Sequence, residues 1–280
     1  MSQFPPIDYL VVGHLSQDRT PEGPVLGGTV AYAGLTAHAM GRAVGIVTSA
    51  SEALDLSPIR ELSLSLKPAP ISTSFENRYT SQGRVQTLLG RASDLELADV
   101  PRPWRSPKIV HLAPLACEIP TDLVEAFPSS FLGVTPQGSM REWDSAGQVR
   151  LRSWESVRDL LPAADAVVLS NEDLKMDYSA AQAMADHCRV LVVTEAPKGA
   201  RVYTQGRSTS VPAPPTHEVD PTGAGDIFAA VYFIHLQQSG DPWRAAEVAN
   251  QIAAISVTRR GLASVPTALE ARAALQNLGS

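Results

Sequence analysis

Short apolar runs alternate with longer stretches that have helical composition. Ile7 to Val12, Ala43 to Thr48, Lys108 to Leu112, Phe131 to Val134, Ala166 to Leu169 and Val190 to Thr194 are such runs. Each is too short for a helix and predicts a buried strand. Between them, Thr29 to Met40 (closed by Gly41), Thr121 to Phe127, Trp154 to Leu161 and Ala180 to His187 predict helices. Strands alternating with helices imply βαβ units, a mostly parallel sheet and helices on both faces. Two regions break the rhythm. In Ser72 to Leu89, Phe75, Asn77 and Tyr79 alternate, Ser81-Gln82-Gly83 makes a turn, and Val85, Thr87 and Leu89 alternate again. This predicts a hairpin inserted in an α/β chain, placed to act as a lid. Ala200 to Pro214 is a second β-like stretch, and three helices follow at Ala224 to Gln238, Trp243 to Arg259 and Thr267 to Leu275. No repeat or linker divides the chain, so residues 1–280 read as one domain with its lid near 72–89.

The 280 residues are 44% hydrophobic, enough for a large core. The net charge is −6 and no Lys/Arg cluster is present, which argues against nucleic acid as a partner. No apolar run reaches the roughly 20 residues that span a bilayer. Met-Ser-Gln-Phe-Pro-Pro is not a secretory signal, so a cytoplasmic protein without a membrane partner is expected. Cys117 and Cys188 stand far apart beside apolar runs and read as buried, reduced thiols.

Chemistry concentrates in Asp220-Pro221-Thr222-Gly223-Ala224-Gly225-Asp226, which runs directly into the apolar helix Ile227-Phe228-Ala229-Ala230. Gly223 and Gly225 let backbone approach a ligand. The first amides of a helix lack intrahelical partners and sit at its positive end, a ready anion site. Asp226 in the first turn is expected to stay ionised and to accept a proton from an attacking hydroxyl. The neighbouring amides would stabilise charge on a transferring phosphoryl group.

This string resembles the C-terminal signature of the ribokinase-like sugar kinases, the PfkB carbohydrate kinase family, and further matches run through most of the chain. The resemblance implies a doubly wound α/β fold with a small β lid and an ATP- and Mg2+-dependent kinase that phosphorylates a hydroxyl of a sugar, polyol or nucleoside. It makes Asp226 the base, with Gly223, Ala224 and Gly225 as the anion hole. Gly13-His14-Leu15-Ser16-Gln17-Asp18 places Asp18 on substrate hydroxyls, and Gly27-Gly28 allows close backbone approach. Tyr32 replaces an Asn usual in the family and is assigned to the substrate pocket. Ser170-Asn171-Glu172-Asp173 resembles the segment that organises magnesium through water, which assigns Asn171 and Glu172. Val192 to Ala200 resembles the loop at the nucleotide phosphates, with Thr194, Lys198 and Gly199. Ala249 to Arg259 resembles the helix beside adenine, with Asn250 near the base. Asp220 matches a position that helps bind a monovalent cation such as K+. The lid sheets of the family often pair into homodimers.

The departures are specific. Leu174 stands where the family has Glu, so Glu172 or Asp173 must serve. Ala196 replaces a Gly, so backbone is expected to pass the nucleotide differently. The segment between Asp18 and Gly27 is short, so the lid is expected to be little more than the 72–89 hairpin. Arg141, at the end of a parallel strand, reads as a solvated surface arginine ahead of an anion binder, and His111 as a core or loop histidine. A nicotinamide enzyme is disfavoured, because Gly13-His14-Leu15-Ser16 is not a Gly-x-Gly-x-x-Gly turn. Two alternatives stay open: a catalytically idle sugar- or nucleotide-binding regulator, and a kinase of a vitamin-like hydroxymethyl compound.

Overall fold

The structure is a computed structural model that describes residues 4–20, 23–80 and 83–277. In chain order the strands are β1 (Tyr9–Val12), β2 (Ser16–Thr20), β3 (Gly23–Gly27), β4 (Val44–Ala50), β5 (Ser63–Pro68), β6 (Thr73–Thr80), β7 (Gly83–Gly90), β8 (Ile109–Leu112), β9 (Phe131–Val134), β10 (Arg141–Trp143), β11 (Val149–Leu151), β12 (Ala166–Ser170), β13 (Val190–Thr194), β14 (Ala200–Thr204) and β15 (Arg207–Val211). The helices are α1 (Thr29–Ala39), α2 (Tyr178–Ala185), α3 (Ala224–Ser239), α4 (Pro242–Ser256) and α5 (Ala268–Asn277).

The main sheet has the order β15-β14-β13-β12-β9-β8-β1-β4-β5. It is parallel from β5 to β13 and antiparallel at β14 and β15. Side-chain alternation sorts its two faces. On β1, Tyr9 and Val11 join the apolar cluster that includes α1, α3 and α4 residues. Leu10 and Val12 join a second cluster with Trp104, Leu161 and Met184 on the other face. Burial on both faces is why the strands read as continuous apolar runs. Helix α3 is buried from Ile227 to Ile234, a helix enclosed on all sides in the core.

Two predicted helices, over 121–127 and 154–161, are 3-10 segments at Thr121–Ala126 and Trp154–Ala163. Prolines account for it. Pro128 disfavours helical backbone at Phe127, and Pro162 removes an amide donor inside the second segment.

The predicted hairpin exists as β6 and β7; its turn residues Ser81 and Gln82 lie outside the described residues. The lid is larger than expected. Strands β2 and β3 join it in a four-stranded sheet of order β3-β2-β6-β7. Strand β2 lies parallel to β6, bringing Asp18 beside Phe75. Ser-Gln-Asp-Arg-Thr carries no apolar alternation, so this strand has no sequence signature; pairing with β6 and β3 makes it one. The β10–β11 hairpin leans on the outer strand, with the Leu88 amide donating to Gly147 O at 2.8 Å.

A buried polar knot joins this sheet to the main one. Glu118 accepts the backbone amides of His14 (2.8 Å), Leu115 (2.8 Å) and Ala116 (2.6 Å). The His14 ring bridges Thr73 Oγ1 (2.7 Å) and the carbonyl of Ser93 (2.8 Å). Thr73 opens β6 and Ser93 follows β7. The knot therefore sets where the lid leaves the core and where β2 delivers Asp18.

Candidate active site

Helix α3 begins at Gly223, whose φ of 79° and ψ of −6° are left-handed and whose position no side chain caps. The glycine is needed twice. An L-residue would be strained at that φ, and a Cβ there would overlap the ring of Tyr32. Gly225 differs: a Cβ on it would meet nothing within 4 Å, so the helix start opens onto free space. Of the three amides expected to form an anion hole, that of Ala224 donates to Pro221 O at 3.1 Å.

Asp226 follows in the first turn and is half-buried. Burial pushes its carboxyl up to about 6. A hydrogen bond from the Thr29 hydroxyl and the charge of Arg141 oppose that rise, while Asp173 and Asp18 add to it. Desolvation is the largest influence on it. A carboxyl at this level is mostly ionised at neutral pH and still basic enough to take a proton.

Asp18 and Tyr32 lie in the same cluster. Burial and the charges of Asp226, Asp18 and Asp220 hold the Tyr32 phenol well above its ordinary range, so it stays a neutral hydroxyl. Gly27 leaves room for Asp18, because a Cβ there would stand 2.8 Å from Asp18 Oδ2. Gly28, with φ of 91°, brings the start of α1 to within 2.8 Å of His14 O, measured from where its Cβ would be. Asp220 accepts the amides of Thr222 (2.9 Å) and Gly261 (3.2 Å), tying the turn to the loop after α4.

Sequence reasoning missed Thr29, read Arg141 as a solvated surface residue and weighed Asp173 only in place of the family's Glu. Arg141 is 6% exposed, not solvated. Its Nη1 donates to Leu115 O at 2.9 Å, and its guanidinium lies 5.4 Å from the centre of the Phe75 ring on the lid. Asp173 is buried, and its two oxygens accept Gln137 Nε2 and the Ser170 amide, each at 2.9 Å. Thr29 directly follows Gly27-Gly28, and that position was the available signal. Nothing in the sequence marks Arg141 as buried, since its cover comes from Phe75 and the Leu115 carbonyl, both distant in sequence.

On the other flank the ends of β12 and β13 bring Asn171 and Thr194 together, the Asn171 amide donating to Thr194 O at 3.0 Å. Glu172 and Lys198 are exposed, and Leu174 is buried. Ala196 takes φ of 50°, in the left-handed region that a glycine adopts freely. Gly199, with φ of 99°, lies against Val211 O. Asn250 is buried, and its Nδ2 donates to the same Val211 carbonyl at 2.8 Å. Asn250 therefore stands behind the wall of an open groove of about 540 Å³ lined by Pro214, Thr216, Gln251, Ala254, Ile255 and Thr258. Its neighbour Gln251 lines the groove. His111 is a core residue between the Tyr9 hydroxyl (2.9 Å) and Thr135 Oγ1 (3.0 Å), and burial lowers it to about 3.

A left-handed glycine opening an enclosed helix, a first-turn carboxylate and a lid sheet thus stand together in a doubly wound α/β protein. Residues 142–268 match the model of the pfkB family carbohydrate kinases. A probable fructokinase-5 of Arabidopsis thaliana is 29% identical over 44% of this chain and 45% of its own length. A cytidine kinase of Thermococcus kodakarensis is 24% identical over 80% of this chain and 86% of its own. The match thus spans less than half of the plant relative. A solved structure of a pyrophosphate-dependent myo-inositol-1 kinase converted into a myo-inositol-3 kinase superposes with a TM-score of 0.81 at 18% identity, covering 96% of this chain and 99% of that one. The chain is thus similar to the ribokinase-like PfkB carbohydrate kinases, through the family match over residues 142–268 and through its fold.

Proposed function

We propose that the protein transfers the γ-phosphoryl group of ATP to a hydroxyl of an uncharged sugar, polyol or nucleoside. The observation that carries this is the pairing of Asp226, raised to about 6, with the open helix start at Gly225. An acceptor hydroxyl held by Asp18 would donate to Asp226. As its oxygen bonds to phosphorus, the bridging P–O bond of the donor breaks, ADP leaves and the hydroxyl proton passes to Asp226. The Gly223 turn and the helix start would carry the charge on the phosphoryl oxygens. Asp18, Asp173 and Asp226 outnumber Arg141 around the acceptor side, which favours a neutral acceptor over a phosphorylated one.

The residues present do not form a dedicated metal cage. No three His, Cys, Asp or Glu side chains converge among the described residues, and both oxygens of Asp173 are engaged. Asn171 and Glu172 suit a hydrated Mg2+ carried on the donor phosphates, where it would neutralise phosphate charge. Asp220 is the candidate beside a monovalent cation.

The test is an ADP-release screen over sugars, polyols, nucleosides and their phosphates, with and without K+. A parallel arm uses pyrophosphate with phosphate release, because pyrophosphate-dependent kinases share the fold. Turnover of a neutral acceptor with ATP is expected. No turnover of any acceptor with either donor would overturn the reading.

A further inference from the structure

Helix α1 reaches the catalytic turn through two residues three apart, which places them on one face. Thr29, 6% exposed, donates its hydroxyl to the Asp226 carboxylate. Tyr32, 4% exposed, lays its ring against Gly223, where even a methyl group would not fit. Both partners sit at the start of α3, and the two helices pack together in the core. The first turn of α1 is itself fixed from below. Gly28, in a left-handed conformation, accepts the Ala31 amide at 3.0 Å and lies against the backbone of residues 14–16.

We propose that Thr29 and Tyr32 are positioning residues that set the turn and the base in register, which rests on the base role proposed above. The Tyr32 ring replaces a Cβ under Gly223 and holds its left-handed backbone; the Thr29 hydroxyl donates to the Asp226 carboxylate and favours its ionised form. Tyr32 then acts on the chemistry through the turn rather than by selecting the acceptor. Two features make the pair a device rather than generic packing. The contacts are of different kinds, one apolar and one hydrogen-bonded, and they meet residues three apart on α3, matching the spacing on α1. Other groups also face Asp226: Asp18 from β2, Arg141 from β10 and Asp173 from the loop after β12, with the neutral Tyr32 phenol on α1. They set the baseline that the Thr29 hydroxyl adjusts.

The experiment needs neither donor nor acceptor. The Asp226 carboxyl is titrated by carbon NMR in aspartate-labelled protein, assigned by the signal lost in Asp226→Asn. Amide exchange is followed at Gly223 to Asp226. In Thr29→Val the titration should move up by roughly half to one unit, as loss of a hydrogen bond to the charged form requires, and Thr29→Ser should restore it. Tyr32→Phe should keep the exchange of the turn, and Tyr32→Ala should speed it roughly tenfold with the β-sheet amides unchanged. An unshifted titration in Thr29→Val overturns the role of Thr29. Equal exchange in Tyr32→Phe and Tyr32→Ala overturns the role of the ring, whether both are slow or both fast. If Tyr32→Ala fails to fold, Tyr32→Leu supplies the same comparison. Failure of the kinase reading is seen elsewhere, as absence of turnover in the wild-type screen, and leaves these measurements standing.

Discussion

The two flanks of the Gly223 turn are built differently. On the proposed acceptor flank Asp173, Arg141, Thr29 and Tyr32 are buried, Asp18 and Asp226 are half-buried, and several side chains hold one another in place. On the proposed donor flank Lys198 and Glu172 are exposed, and the groove is lined by uncharged residues such as Thr216, Gln251 and Thr258. A preorganised flank keeps its charges fixed before ligand arrives, so each group there acts with little reorganisation. An open flank gains its order from the ligand. Single changes should therefore be severe on the first flank and mild on the second.

The sharpest break of that contrast is Asp226→Asn, expected to lower kcat by roughly two to four orders of magnitude with donor KM little changed. A kcat within a few-fold of wild type would remove Asp226 as base. In wild type, kcat/KM should fall as pH drops through about 6, where the base is protonated. The sign for stability is opposite. The folded carboxyl titrates above its unfolded value, so its contribution is most favourable in acid and is lost as pH rises through about 6. Asp226→Asn should accordingly melt above wild type at pH 8, and a lower Tm there would contradict the desolvation argument.

Next come the two glycines. Gly225→Val places a side chain in the open space where phosphate would sit; transfer should drop roughly a hundredfold or more while Tm stays near wild type. Gly223→Ala meets both left-handed strain and the Tyr32 ring, and should lower Tm by roughly 4–10 °C. Equal melting losses in the two variants would erase the distinction between an open and a packed glycine. Asp18→Ala should cost roughly ten- to a hundredfold in kcat/KM for the acceptor, the range for an unpaired buried polar group. A matching loss in donor KM would place Asp18 on the wrong flank.

The smallest effect is expected on the donor flank. Ala196→Gly relieves an alanine held at φ of 50°, worth about 1 kcal/mol, and should leave Tm level or slightly raised with kcat nearly unchanged. A large loss of kcat would show that this flank is as rigidly organised as the other.

Much of this protein was legible from residue order alone. Period-two and continuous apolar runs marked β1, β4, β8, β9, β12 and β13, because strands covered on both faces need apolar side chains throughout. The Gly-x-Gly-Asp string before an apolar helix located the left-handed turn proposed as catalytic, because special backbone and the first amides of a helix are local properties. Strand β2 was hidden, since Ser16 to Thr20 becomes a strand only by pairing with β6 and β3. The burial of Arg141 was hidden too, because its cover is Phe75 and the Leu115 carbonyl, both distant in sequence. Asp173 turned inward because Gln137, brought by a neighbouring strand, offers its amide. The rise of Asp226 to about 6 likewise depends on what surrounds it, and no neighbour in sequence supplies that. Local backbone requirements are written in consecutive residues. Burial and charge are sums over whatever the tertiary fold brings near, so only the assembled structure decided them.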